Sequence, residues 1–169
     1  MNSTVIRRGA LAGMAGGVVM AMWSMLALAA SGHGFFTPVN LIAHTIWHGA
    51  PLGGGFVLGA LALGMVVHMA TSMMLGVGIA VAAQRLGADR TRGAVLGMAA
   101  GLGVWLVNQY AVWPVLDSAA SDRFTPWVFA LGHVMFGVVA GAAAVSATRT
   151  AGREPTRTSV VRPQPRVSH

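Results

Sequence analysis

Four stretches of this chain, 9–30, 54–83, 93–112 and 127–147, are apolar for long enough to cross a bilayer and hold no Asp, Glu, Arg or Lys. A hydrocarbon core about 30 Å thick takes about 20 helical residues to span. Lipid offers no partner to an open backbone, so each stretch must satisfy its own amides as a helix. Composition agrees: 55% of residues are apolar and 9% charged, against about 25% charged in an average soluble domain. The reading is an all-α integral membrane fold, a four-transmembrane-helix bundle occupying residues 1–148, followed by a basic tail over 149–169.

Arginine supplies every fixed cation, since lysine is absent. Arg7 and Arg8 precede the first run, Arg85, Arg90 and Arg92 lie between the second and third, and Arg149 opens the tail. Only Arg123 falls on the other side. The positive-inside rule then puts both termini in the cytoplasm. Residue usage rich in Ala, Gly and Arg without Lys is that of a GC-rich bacterial genome, so the membrane is the bacterial inner membrane. The net charge of +7 does not signal nucleic acid, because the arginines sit between apolar runs and not on one basic face. Two arginines and "ALA" at 27–29 imitate a secretory signal, but the apolar stretch is too long for one and is expected to be retained. The tail has Pro, Ser, Thr and spaced Arg without apolar periodicity, the composition of a disordered segment.

The first outer loop carries "FTPVNLIAHTIWHG". Thr37 as N-cap, Pro38 in the first turn and Gly49 as a stop predict a short helix of about three turns. It is too short to span, and so lies at the interface or dips between the long helices as a re-entrant segment.

"RGALAGMAGG" at 8–17 matches "RGAVLGMAAG" at 92–101 in seven of ten positions, at an offset of 84. Gly9, Gly13 and Gly17 fall on one face of the first span, and Gly93, Gly97 and Gly101 on the matching face of the third. Missing side chains at every fourth residue let helix backbones approach closely. Gly137 and Gly141 extend such a stripe on the fourth span. "FTP" recurs at 36–38 and 124–126. Two hairpins entering from the same side would form a parallel internal repeat.

One polar residue per span lies at nearly the same depth. Counted from the flanking arginines, His68 is 17 residues in, and His133, Asn108 and Ser24 are each 16 in, or about 24 Å at 1.5 Å per residue. A polar group facing acyl chains is costly. Ser24, His68, Asn108 and His133, with Ser72 one turn from His68, are therefore expected to face inward as a shared polar layer in the outer leaflet.

Several chemistries suit that layer. Buried polar groups commonly serve only as packing glue between helices. His68 and His133 on facing helices could instead ligate haem. His44 and His48 are four residues apart in "HTIWH", a workable spacing for zinc or copper. Met22, Met25, Met65, Met69 and Met135 near the layer would favour Cu(I). Cysteine is absent, which excludes thiolate sites. "HTIWH" lacks the Glu of a zinc protease, and no Ser/His/acid set or nucleophile elbow is visible. The leading expectation is a non-enzymatic membrane module acting through helix–helix association, with itself or another membrane protein as partner. A haem- or metal-binding redox or transport component is the alternative. A small-solute or proton path comes third, because the spans lack carboxylates.

"HMATS" at 68–72, "RGAVLGMAAG" at 92–101 and "ALGHVMFG" at 130–137 together resemble the YagU-like bacterial inner-membrane proteins, a family of uncharacterised activity. The likeness covers roughly the C-terminal 90 residues and rests on His68, Ser72 and the Gly132–His133 pair. It implies the membrane architecture without supplying an activity.

Overall fold

The structure is a computed structural model that describes the backbone of residues 2–151 and the side chains of 2–145. Every regular element among them is helical: α1 (Ser3–Ala30), α2 (Thr37–His44), α3 (Leu58–Arg85), α4 (Arg90–Val107), a π-helical turn (Asn108–Val112), α5 (Trp113–Leu116), α6 (Ser118–Ser121) and α7 (Pro126–Ala151). Four are long and apolar enough to cross a membrane: Ser3–Ala30, Leu58–Arg85, Arg90–Leu116 and Pro126–Val145.

Local chemistry sets their ends. Asn2 accepts the Thr4 amide to open α1, so that Arg7 and Arg8 lie inside the helix and not before it. Asp89 accepts the Arg92 amide to open α4. After α3 the chain reverses through Gly87, whose φ of +58° is the left-handed conformation that closes a helix cheaply only without a Cβ. The third span does not stop at residue 112. Pro114 lacks an amide hydrogen and its ring crowds the preceding turn, and the helix passes it by widening: the Trp113 amide donates to Asn108 O, five residues back. α7 likewise runs past residue 147 to Ala151. Most of the expected tail, from residue 152 on, lies outside the described residues.

α1 is the central helix, packed against α3 on one side and α7 on the other; α4 packs against α7, and α3 and α4 scarcely meet. The glycine stripes make both hairpin contacts. A Cβ at Gly13 would lie 2.1 Å from Ser72 O, and one at Gly9 2.6 Å from Val77 Cα. On the other pair, a Cβ at Gly97 would lie 2.0 Å from Gly137 O, at Gly93 2.7 Å from Gly141 O, and at Gly101 2.2 Å from His133 O. Gly17 faces the Ser72 side chain. The stripes are therefore filled within the chain, and a second copy would have to use another surface.

α2 is shorter than the sequence suggested. Phe36 precedes it as the cap, Thr37 is its first residue with its hydroxyl on His33 O, and it ends at His44. It is packed against α3: Val39 O sits over Gly64, where a Cβ would come within 2.1 Å. Asn40 is fully buried, and its amide donates to Gly53 O and Gly55 O at 2.7 and 2.8 Å. That pair of bonds folds the following loop back over α2. The largest apolar cluster lies at this end, built from Leu28, Leu41, Ala120, Phe124, Val128 and Phe129.

Candidate functional site

Between α1, α2, α3, the α4–α5 segment and α7 lies a cavity of about 260 Å³, just below the roughly 300–1,000 Å³ range of small-molecule sites. Ser24, His68, Ser72, Asn108 and His133 all border it. One polar residue from each long helix, placed at one depth by counting, thus meets its counterparts around a common space. No Asp, Glu or Arg lines it.

Each polar side chain is positioned by its own or a neighbouring backbone. His68 is buried, and its Nε2–H donates to Gly17 O at 2.9 Å. That carbonyl is reachable because residue 17 has no side chain. His133 Nδ1–H donates one turn back to Phe129 O at 2.7 Å. Ser24, 2% exposed, donates to Met20 O. A carbonyl only accepts, so each imidazole must hold its hydrogen on the nitrogen facing it. In a neutral ring the second nitrogen is then an acceptor, Nδ1 in His68 and Nε2 in His133. Neither has a further hydrogen-bond partner among the described residues.

Trp105 and the π turn were not foreseen as parts of the site. The Trp105 ring lines the cavity, and its Nε1–H is buried without an acceptor. An indole nitrogen can only donate, and leaving such a donor unmet costs about 1–3 kcal/mol. Asn108 opens the π turn, and Asn108, Gln109 and Val112 all border the cavity. Single-turn π bulges inside α-helices are frequent at functional sites. Pro114 was the available sequence signal for it.

His44 and His48 lie beside one another, ring centroids 5.3 Å apart, but not on one helical face. α2 ends at His44 and His48 follows in an exposed turn. The partner that sequence spacing could not supply is Asp117. Its Oδ2 accepts His44 Nδ1–H at 2.5 Å and its Oδ1 accepts the Ala120 amide at 3.0 Å, capping α6. Both side chains are buried, 9% and 3% exposed. Burial pushes the Asp117 carboxyl up, but the His44 hydrogen bond, the Ala120 amide and the electrostatic influence of His44 and His48 outweigh it and hold the group below the usual carboxylate range. The pair joins α2 to the α5–α6 segment beside the cavity, where Ile42, Thr45, Trp113 and Leu116 form the wall. Among the described residues no three His, Asp or Glu side chains gather in a set able to hold a metal.

A shallower cleft of about 210 Å³ opens between α3 and α4, lined in part by Met74, Gly78, Ala100 and Val104. It shares Leu75 and Phe136 with the cavity.

No family model, curated protein or solved structure matches this chain. The site must be read from its own geometry.

Proposed function

We propose that the protein is a multi-pass inner-membrane protein with cytoplasmic termini, whose outer-leaflet cavity binds a small, mainly apolar molecule without transforming it. The observation that carries this reading is the convergence of His68, His133, Ser24 and Asn108, from four different spans, on one cavity. In this reading the long helices form a transmembrane bundle of two parallel hairpins, and α2 is its re-entrant element. Its support is the shared contact register, Gly13 and Gly17 on Ser72 in one hairpin and Gly97 and Gly101 on Gly137 and His133 in the other. The YagU-like assignment stays a proposal resting on the three motif runs.

Self-association through the glycine faces is less favoured, since those faces are filled. Haem is less favoured too. The cavity is small for a macrocycle, and His68 would have to release Gly17 O to ligate through Nε2. A zinc or copper site at His44 and His48 would need further ligands from outside the described residues.

Two experiments test the proposal. The chain has no native cysteine, so Gly53→Cys and Thr91→Cys report orientation directly. A membrane-impermeant maleimide on intact cells should label the first and spare the second; the reverse pattern overturns the topology. For the cavity, p-cymene at about a hundred times its Kd should stabilise the purified protein by about 2.7 kcal/mol. Ala21, 8% exposed, borders the cavity, and Ala21→Leu should fill the space and abolish the effect. Absence of any saturable stabilisation, or its survival in Ala21→Leu, overturns the binding reading.

A further inference from the structure

We propose that the cavity selects a neutral molecule of on the order of ten heavy atoms carrying a carbonyl-type acceptor and a hydroxyl donor on an apolar body. This rests on the cavity being a binding site and goes on to what it recognises. The size follows from about 260 Å³ of space at roughly 30 Å³ per water-sized unit.

The chemistry follows from which polar atoms are left over. Trp105 borders the cavity, and its Nε1–H is buried in the wall and meets no acceptor. It is the one buried side-chain donor among the described residues with no partner, and a donor-only group of this kind is answered by a carbonyl oxygen. The two imidazoles supply the opposite polarity. Gly17 O and Phe129 O occupy one nitrogen of each ring and leave the other to accept from a hydroxyl. A charged ligand finds no Asp, Glu, Lys or Arg along the space, and burying an unpaired charge costs far more than burying a hydrogen-bonded dipole. The rest of the lining combines uncharged hydroxyls and carboxamides, from Ser24, Ser72, Asn108 and Gln109 among others, with apolar walls that include Val39, Ile42, Leu75 and Phe136.

Entry from the lipid fits this chemistry. The α3–α4 cleft and the cavity share Leu75 and Phe136 in their linings, so a molecule dissolved in the bilayer and lodged in the cleft lies next to the site.

The test uses the full chain in nanodiscs with indole-¹⁵N tryptophan and four probes of one shape. These are 4-hydroxyacetophenone, 4-methylacetophenone (carbonyl only), 4-isopropylphenol (hydroxyl only) and p-cymene (neither). The Trp105 resonance is identified by its loss in Trp105→Phe. Both ketones should shift that resonance saturably and p-cymene should not. 4-Hydroxyacetophenone should bind about tenfold tighter than 4-methylacetophenone. Trp105→Phe should weaken the ketones about tenfold more than it weakens p-cymene. Equal binding of all four probes, or ketone binding that leaves the Trp105 resonance in place, overturns the donor–acceptor selection while the cavity reading stands. Binding of none, p-cymene included, overturns the cavity reading itself.

Discussion

Gly97→Ala should destabilise the protein by about 3 kcal/mol, at the upper end of what overpacking a close-fitted contact costs. The added methyl would stand 2.0 Å from Gly137 O and 3.1 Å from Gly141 Cα. These are backbone atoms of a long helix, so no side chain can turn aside, and α4 must move off α7 as a body. α4 has little else to hold it, since its buried residues are Gly93, Gly97 and Gly101 alone. Gly13→Ala, 2.1 Å from Ser72 O, should do the same to the α1–α3 pair. Gly103 supplies the control. It lies on α4 with nothing within 4 Å of a new Cβ, and Gly103→Ala should change stability by less than about 0.5 kcal/mol. Reversible unfolding in bicelles measures all three, and equal effects at 97 and 103 would show that the glycine stripe is not the contact.

Asp117→Ala should cost about 3–5 kcal/mol, because it removes one partner of a buried pair and leaves the other without its counterpart. The loss also uncaps α6 at the Ala120 amide. Amide exchange should accelerate in α2 and α6 and hardly change in the arginine-flanked half of α1 and α3. Replacing both members, Asp117→Leu with His44→Leu, should recover part of the loss, as apolar replacement of a buried pair commonly does. Acid tests the same joint with a definite sign. The folded carboxyl is held below its ordinary value, so its contribution is fully present above the unfolded pKa, about 3.9, and disappears as pH falls through the lower folded value. Exchange in α2 should thus be insensitive to Asp117 titration between pH 8 and 5 and rise only below about pH 4. A rise centred near neutrality in wild type that persists in Asp117→Asn would assign the joint to another group.

Residues whose role is set by helical period were legible in the sequence. The glycine rows at 9, 13 and 17 and at 93, 97 and 101 lie on the contact faces, since three- and four-residue spacing states a face directly. Depth was legible as well, because a long helix advances by a constant rise, and Ser24, His68, Asn108 and His133 reach one cavity. Period and rise name a face and a level but no neighbour. Asp117 and His44 are 73 residues apart in loops where no repeat operates, so their pairing left no local trace. His48 fell off the expected helical face because α2 stops at His44, against the order that Gly49 suggested. Trp105 passed for an ordinary apolar residue of a span, and only its surroundings show that its N–H is unmet.

The gap between α3 and α4 has a consequence for what the protein's boundary is. Two of the four long helices face each other across space that no side chain fills. In a bilayer that cleft is open to acyl tails, and Leu75 and Phe136 line both it and the cavity. Chain unsaturation and lateral pressure then become structural variables of this molecule, and the same polypeptide should hold the proposed cavity ligand differently in a fluid membrane and in a stiff one.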